Sequence, residues 1–370
     1  MNRKLRVGIL FGGKSAEHEV SLQSAKNIFD VIDKTKYDVV LIGIDKEGKW
    51  YLNDESRFLL NADNPKLIKL NTANDNLALI PGDKNDQMLN VQNNKTIGQI
   101  DVVFPVLHGT YGEDGTIQGL LKFANIPFVG ASVLGSAVGM DKDVAKRLLR
   151  DAGIPNAKFK VFDNSTRDDI NFSEIIAELG LPLFIKPANL GSSVGINMAH
   201  DEDEFIIAIN DAFKYDRKII IEEFIKGREI ECAVLGNENP IASVPGEILT
   251  DKSRHEFYSY DAKYIDEKGA GLDAPAKLST SLTKEVQTLA VKAYKVLCCE
   301  GMARVDFFLT DNDELYINEI NTIPGFTQIS MYPRLFALSG IPYTQLIDRL
   351  IQLAIDRFDK EKNLTTSFDL

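Results

Sequence analysis

The sequence is poor in cysteine and tryptophan and has no excess of positive charge. Its 370 residues include three cysteines, one tryptophan and four histidines, and 42 basic residues stand against 54 acidic ones. Three is an odd number of cysteines and they lack metal-ligand spacing, so we expect structural thiols in a reducing compartment. The net charge of −12 argues against a nucleic-acid-binding protein, which usually carries a basic face.

Long hydrophobic runs are also lacking. No stretch reaches the roughly 20 apolar residues of a membrane-spanning helix. Residues 1–10 contain one short apolar run without a cleavage-site pattern, so we expect no signal peptide. The sequence thus predicts a cytoplasmic protein that binds neither membrane nor nucleic acid. Its length exceeds one ordinary core, which predicts two or three domains.

Short apolar runs and helical spacings predict an α/β protein. A strand at 5–11, a helix at 21–33 and a strand at 39–44 form a βαβ start, whereas the polar segment 52–98 looks like surface excursions around short elements. Further strands are predicted at 101–107, 157–161, 183–186, 195–199 and 219–222, and further helices at 141–152, 172–179, 283–297 and 342–359. A strand pair is predicted over 303–320.

The strand pair gives the strongest chemical signal. If its hairpin closes symmetrically at residues 312–313, Asp306 faces Glu319 and Arg304 faces Asn321, all on one side of the sheet. Two carboxylates directly opposite repel each other unless something compensates them. Carboxylate and amide oxygens suit Mg²⁺, so this pattern predicts a metal site; a solvated hairpin face is the alternative.

Three other segments are candidates for ligand contacts. Residues 186–195 form a Gly/Ser-rich connection that could bind phosphate together with Lys186 and Lys142, although neither a P-loop nor a dinucleotide fingerprint is present. Residues 219–229 could hold adenine beside Phe224, with Glu229 near the ribose, or could simply be a solvated strand end. The glycine-rich turn after the first strand could hold a substrate carboxylate, and Glu17 its ammonium group.

Taken in order, these segments resemble the D-alanine–D-alanine ligase family of the ATP-grasp superfamily. The runs that carry the resemblance are GGKSAEHEVSL (12–22), LHGTYGEDGTIQG (107–119), GMDK (139–142), KPANLGSSVGI (186–196), EEFIKGREIEC (222–232), YDAKYID (260–266) and ARVDFFLTDNDELYINEINTIPGFT (303–327). Together they span about residues 5–355. Several are long and specific, so the agreement does not arise by chance.

The resemblance implies an α/β (α+β) ATP-grasp fold with an N-terminal open parallel-sheet domain. We expect that domain over 1–130, a central ATP-grasp subdomain over 131–222 and a C-terminal subdomain over 223–370. The long polar segment 246–271 would be a lid loop; plain disorder is the alternative, which its three tyrosines disfavour.

The resemblance also implies the site residues. The metal ligands would be Asp306, Glu319 and Asn321, with Glu319 bridging two Mg²⁺ (or Mn²⁺) ions. ATP would be bound by Lys142, Lys186, Ser193, Glu222, Phe224, Ile225, Glu229 and Lys263. The catalytic residues would be Glu17, Ser192, Tyr264, Arg304 and the Gly325 N–H. Substrate would be bound by Glu17, His108, Arg304, Gly325, Ser330 and Met331. A monovalent cation is a further candidate cofactor, and a homodimer is implied.

The implied reaction is ATP-dependent joining of two D-alanines through an acyl phosphate, for peptidoglycan precursor synthesis. The nearest rivals are a D-alanine–D-lactate ligase, disfavoured by Tyr264 in the lid, and another ATP-grasp carboxylate-amine ligase. A non-catalytic nucleotide-binding regulator is the rival from another class, and it would have no need of Arg304 as an oxyanion donor.

Overall fold

The N-terminal residues form a mixed sheet of seven strands. The computed structural model describes residues 3–62, 64, 67–83, 85–250 and 270–365. The first strands are β1 (Leu5–Gly12), β2 (Tyr37–Ile44), β3 (Trp50–Asn53), β4 (Leu59–Leu60), β5 (Lys69–Leu70), β6 (Asp75–Leu79), β7 (Met88–Asn90), β8 (Lys95–Thr96) and β9 (Val102–Val106). The sheet order is β8-β7-β6-β3-β2-β1-β9, and β4 pairs with β5 apart from it.

Only the centre of this sheet is parallel. Strand β1 runs parallel to both β2 and β9, as the predicted βαβ start requires. Beyond β2 the pairs β2–β3, β3–β6, β6–β7 and β7–β8 are antiparallel. The segment predicted as surface excursions therefore extends the sheet.

Helices cover the sheets of all three parts of the chain. They are α1 (His18–Val31), α2 (Thr116–Phe123), α3 (Val133–Met140), α4 (Lys142–Asp151), α5 (Phe172–Leu179), α6 (Glu202–Ala212), α7 (Thr280–Val296), α8 (Met331–Leu338) and α9 (Tyr343–Lys362), with a 3₁₀ turn at Arg167–Asp169. The predicted cap of α4 is confirmed, because the Asp141 side chain accepts the Val144 N–H. The sequence patterns missed α2, α3, α6 and α8.

Two antiparallel sheets follow the first one. The second contains β10 (Phe159–Asp163), β11 (Leu183–Pro187), β12 (Asn197–Ala199) and β13 (Lys218–Glu223), in the order β10-β13-β11-β12. The third contains β14 (Arg228–Leu235), β15 (Ile241–Ala242), β16 (Gly246–Thr250), β17 (Ala270–Asp273), β18 (Met302–Leu309) and β19 (Leu315–Asn321). Its order is β17-β16-β14-β18-β19, with β15 on β14.

Four hydrophobic cores hold these layers together. One face of the first sheet packs with α1 and also with α8 and α9 from the far end of the chain. The other face packs with α2. Helices α4 and α7 cover the third sheet, and α5 and α6 cover the second. The N-terminal sheet and the C-terminal helices thus share one core, which fixes the first domain against the last.

The expected boundary at 130 lies between the first and second sheets, and that at 222 lies within β13; the domain division stays a prediction. The expected lid loop at 246–271 begins and ends in the antiparallel pair β16–β17, so its ends are strands. Residues 251–269 lie outside the described part.

Two cysteines are buried as expected, but Cys298 is exposed. No helix in the described ranges is long and apolar enough to cross a membrane.

Candidate active site

A cavity of about 380 Å³ lies between the N-terminal and C-terminal parts of the chain. Its walls come from the turn before α1, the loop after β9, the start of α4, the glycine-rich loop, the β18–β19 hairpin and the residues after it. The predicted site residues that line it are Glu17, His108, Lys142, Ser192, Arg304, Glu319, Asn321, Gly325, Ser330 and Met331. Segments far apart in the sequence therefore meet at one concave site.

The predicted register of the hairpin is confirmed at the site. Asp306 pairs with Glu319, and Arg304 pairs with Asn321. Beyond Asp306 the register shifts by one residue at a bulge, so the symmetric closure predicted at the turn is wrong there. The bulge separates the apolar outer half of the hairpin from the half that carries the charges.

Arg304 connects a carboxylate of the hairpin to one on the neighbouring strand β14. Its Nε and Nη2 each donate to a different oxygen of Asp306, both at 2.7 Å. Its Nε also lies 3.3 Å from Glu231 Oε2 on the neighbouring strand β14. Asn321 Nδ2 donates to Asp306 Oδ2 at 2.9 Å. A planar guanidinium between two carboxylates fixes their geometry in a partly buried place.

The donor set of Asp306, Glu319 and Asn321 fits a divalent cation that also binds phosphate. The three side chains share one face of the hairpin, and Glu319 and Asn321 line the cavity. Within the described ranges no cluster of three or more His, Cys, Asp or Glu could hold a metal alone. Mg²⁺ typically takes only one or two carboxylates and completes its shell with phosphate oxygens and water, which this sparse set allows.

Two predicted lysines stand at the same site but have different partners. Lys142 Nζ donates to Leu190 O at 2.6 Å and lies 3.8 Å from Glu319 Oε2. Lys186 Nζ instead donates to Glu222 Oε2 at 2.7 Å, with both side chains buried. Lys142 thus connects the glycine-rich loop to the hairpin, whereas Lys186 is part of a buried ion cluster.

That cluster contains a third member, Lys146, one turn along α4 from Lys142. Its Nζ lies 3.2 Å from Glu222 Oε1, and only 2% of its surface is exposed. Burial alone would raise the pKa of Glu222, but Lys146 and Lys186 outweigh it and lower that pKa to about 2. Burial lowers the pKa of Lys146. Glu222 is therefore an ionised carboxylate held between two lysines.

The glycine-rich loop reaches back to the N-terminal domain. The Ser192 hydroxyl donates to Glu17 Oε1, so two of the residues expected to be catalytic are in direct contact. Ser192 and Ser193 both have positive φ values, 53° and 59°. This left-handed backbone folds the loop tightly over the cavity. Lys263 and Tyr264 lie outside the described residues.

The residues expected around adenine and ribose lie at the end of β13 and the start of β14. Phe224 is exposed and its ring centroid is 6.0 Å from that of Phe184. Ile225 is half-buried, and Glu229 pairs with Phe308 across the third sheet. Glu222 is the buried member of this group.

Both nitrogens of His108 are bound by the protein. Nδ1 lies 2.9 Å from Ile323 O, and Nε2 lies 3.1 Å from Ser24 Oγ. Burial lowers the pKa of His108 to about 4, so the ring is neutral at pH 7. Its expected substrate contact stays a prediction, and it would be made by the edge of the ring.

The segment after β19 brings the last predicted residues to the cavity. A Cβ atom on Gly325 would come within 2.7 Å of Ser330 Oγ, so a larger residue here would displace the Ser330 side chain. Ser330 precedes α8, and its Oγ accepts the Thr327 N–H at 2.9 Å. Met331 opens α8 with 3% exposure and packs close to Gly246 of β16.

The sequence profile described as D-ala D-ala ligase N-terminus matches residues 6–131, and the one described as D-ala D-ala ligase C-terminus matches residues 148–352. The chain belongs to the D-alanine–D-alanine ligase family. It is 58% identical over 364 residues to the D-alanine–D-alanine ligase of Oceanobacillus iheyensis, covering 98% of this chain and 99% of the relative. It is 55% identical to D-alanine–D-alanine ligase A of Escherichia coli, again covering 98% and 99%.

Solved structures agree with this family. The D-alanine-D-alanine ligase from Coxiella burnetii superposes with a TM-score of 0.84 at 40% identity, covering 98% of this chain and 97% of that one. The VanG D-Ala:D-Ser ligase from Enterococcus faecalis follows with 0.83 at 38%, covering 95% and 100%. As a member of the D-alanine–D-alanine ligase family, the chain is an ATP-grasp enzyme that uses ATP and a divalent metal in cell-wall synthesis.

Four site residues of this ligase-family chain were missed by the sequence interpretation. They are Ser24, Glu113, Lys146 and Glu231. Lys146 had a usable signal, because it lies four residues after Lys142 and so on the same face of α4. Glu231 stands opposite Asp306 only through the pairing of β14 with β18, which no local pattern predicts.

Proposed function

We propose that the protein joins two D-alanines to D-alanyl-D-alanine through an acyl phosphate formed from ATP. The observation that carries the proposal is the hairpin face that bears Arg304, Asp306, Glu319 and Asn321, of which Arg304, Glu319 and Asn321 line the cavity. Identity of 55–59% to D-alanine–D-alanine ligases over nearly the whole chain supports the choice of substrate.

ATP is bound beside the second sheet. Lys142, Lys186, Ser193 and Lys263 contact its phosphates, and Glu222, Phe224, Ile225 and Glu229 hold the adenine and ribose. The buried, ionised state of Glu222 supports a role as acceptor for the adenine amino group, since a carboxylate is an acceptor only. The exposed ring of Phe224 offers an apolar wall.

Asp306, Glu319 and Asn321 would hold two Mg²⁺ ions, or Mn²⁺ in their place. When bound, these ions neutralise the charge of the transferring phosphoryl group. A monovalent cation is a further candidate, for which no residue is assigned. Lys142 and Lys186 would also neutralise the charge of the phosphoryl group, and their charges belong to the protein itself.

Glu17 binds the ammonium group of the first D-alanine and orients its carboxylate for attack on the γ-phosphorus. Its bond to Ser192 supports this role, because it fixes Glu17 under the glycine-rich loop. Tyr264, from the expected lid loop, would join Glu17 and Ser192 in one hydrogen-bonded group. Closure of loop and lid would exclude water, which would otherwise hydrolyse the acyl phosphate.

The amine of the second D-alanine then attacks the acyl carbon. Arg304 and the Gly325 N–H stabilise the tetrahedral oxyanion, and phosphate leaves as the peptide bond forms. His108, Ser330 and Met331 contact the substrates. The cavity position of Arg304, Gly325, Ser330 and Met331 supports their assignment to this second step.

The protein acts as a cytoplasmic homodimer. Helices α2 and α3 pack against each other and leave large apolar side chains on the surface. Phe123 is 79% exposed, Leu134 60% and Leu120 40%. A cluster of this kind on a soluble enzyme supports a contact with a second subunit.

The identity of the second substrate is the most specific part of the proposal and can be tested directly. The likeness to the VanG D-Ala:D-Ser ligase keeps D-serine as a rival, and D-lactate is the rival hydroxy acid. Phosphate release and product formation should be measured with D-alanine alone and with each rival in competition, across pH. Dipeptide from D-alanine in stoichiometric yield with phosphate is the expected result. The proposal is contradicted if the product of D-alanine with a rival substrate exceeds D-alanyl-D-alanine, or if D-alanine, ATP and Mg²⁺ release no phosphate.

A further inference from the structure

Residues 323–326 leave the third sheet just after β19, and Gly325 among them lines the cavity. Strand β19 ends at Asn321, so the peptide groups beyond it have no partners in the sheet ladder. Buried backbone groups nonetheless require partners. In this segment, several of those partners are supplied by side chains of the N-terminal domain.

Both peptide atoms of Ile323 are bound in this way. Its N–H donates to Glu113 Oε1 at 2.8 Å, and its carbonyl accepts from His108 Nδ1 at 2.9 Å. The second oxygen of Glu113 accepts the Gly109 N–H at 2.9 Å, which anchors the carboxylate in its own loop. Glu113 thus connects the loop after β9 to the residues after β19 through a single carboxyl group, whose pKa burial raises to about 8.

Ser24 of α1 binds the other end of the segment. The Phe326 N–H donates to Ser24 Oγ at 3.2 Å, and the Ser24 hydroxyl lies 3.1 Å from His108 Nε2. Because His108 Nδ1 donates its proton to Ile323, Nε2 must accept from Ser24. Ser24 is fully buried and His108 nearly so. The two residues on either side of the Pro324–Gly325 pair are therefore fixed by one connected network.

We propose that Glu113 and Ser24 are positioning residues that hold the Gly325 N–H in place for the peptide-forming step. The inference rests on the proposed function, in which this N–H stabilises the oxyanion. A hydrogen-bond donor works in that role only if it is preorganised, and a displacement of about 1 Å can cost about a hundredfold in rate. Neither residue is among the expected contacts of ATP, so loss of the clamp should slow peptide formation selectively.

The test uses the full-length enzyme and two variants, Glu113→Gln and Ser24→Ala. The glutamine oxygen can accept only one of the two N–H groups, and alanine removes the acceptor for Phe326. ATP labelled with oxygen-18 in the β–γ bridge is supplied with saturating D-alanine and Mg²⁺. The label moves to a non-bridging β position only when the acyl phosphate forms and then returns its phosphoryl group to ADP.

The measured quantity is positional exchange per dipeptide formed. If the clamp serves the second step, the acyl phosphate reverts more often and the ratio rises about tenfold or more, while the KM for ATP stays within about twofold. The ratio is taken per turnover, so a lower fraction of folded enzyme does not alter it. An unchanged ratio with reduced activity would mean a structural role and overturns the proposal.

Two matched controls make the comparison specific. Asp114→Asn changes the neighbouring carboxylate, whose oxygens accept the Tyr111 and Thr116 N–H groups of its own loop. Ser136→Ala removes another buried hydroxyl, which donates to Ala131 O. Both should leave the exchange ratio unchanged; an equal rise in these controls overturns the assignment.

Arg304→Ala separates the two proposals. A raised ratio in this variant but not in the clamp variants leaves the proposed function standing and refutes the clamp. No rise in Arg304→Ala, or no dipeptide from the unmodified enzyme, refutes the proposed function itself.

Discussion

Lys146 and Glu222 should be coupled in both stability and ATP binding. Replacing Lys146 by methionine removes one of the two cations that hold the buried Glu222 carboxylate, while keeping an unbranched side chain of similar length. The pKa of Glu222 falls from its ordinary value near 4.5 to about 2, a net preference of about 3 kcal/mol for the ionised form that remains after the lysines have offset the cost of burial. Lys146→Met alone should therefore lower the free energy of unfolding by about 2 kcal/mol.

The double variant is the informative one. Glu222→Gln leaves two buried lysines without a counter-charge, and should also destabilise by about 2–3 kcal/mol. In the combined Lys146→Met, Glu222→Gln protein the glutamine oxygen still accepts from Lys186, so the two losses should not add. We expect the double variant to be at least about 1 kcal/mol more stable than the sum of the single effects predicts.

Urea denaturation at pH 7 measures these energies, and KM for ATP measures the effect on the site. Lys146→Met should raise KM for ATP, because Glu222 turns toward Lys186 once its second partner is lost. Arg147→Ala is the matched control, since Arg147 is an exposed cation on the same helix that pairs with Asp143 instead of Glu222. The coupling is refuted if the two losses in free energy of unfolding add to within about 0.5 kcal/mol in the double variant and KM for ATP is unchanged.

Three further results are expected. Arg304→Ala should lower kcat by about a hundredfold or more and change ATP binding little; equal losses in both, measured by steady-state kinetics and ATP titration, contradict its role as oxyanion donor. Because the pKa of His108 is lowered to about 4 in the folded protein, its contribution to the free energy of unfolding is present above about pH 6.5 and is lost as pH falls toward 4. A His108→Gln variant should lack this part of the pH dependence in urea titrations. A pH profile identical to that of the unmodified enzyme would contradict this expectation. Chelation of divalent metal should abolish phosphate release, and Asp306→Asn should raise the Mg²⁺ concentration needed for half-maximal rate; an unchanged requirement would argue against Asp306 as a ligand.

Local chemistry explains which parts of the fold were predictable. Helix α5 was predicted at its observed bounds because Asn171 caps its first turn and Gly180, with a φ of 77°, ends it. The facing of Asp306 and Glu319 was predictable because side chains alternate along a strand. The bulge after Asp306 was not, because no local pattern in the two strands marks it.

Contacts between distant segments could not be predicted from patterns. The Glu113–Ile323 bond joins residues 210 positions apart, and neither residue looks unusual in its own segment. The same holds for Lys146 and Glu222, which meet only because α4 packs near β13. Resemblance to a family supplied the ligand-binding residues of each motif, but not the side chains that hold those motifs against one another.

The hairpin illustrates why such supporting residues matter for the proposed chemistry. Its regular part ends at Asn321, and a strand end without partners would leave the Gly325 N–H free to point in several directions. A donor that must first reorient cannot stabilise an oxyanion as well as one that is already in place. The N-terminal domain provides Glu113, His108 and Ser24 to the following turn, and shares a core with α8 and α9. The position of the proposed oxyanion donor would therefore depend on the packing of the N-terminal and C-terminal parts of the chain, and substitutions between them should alter peptide formation more than ATP binding.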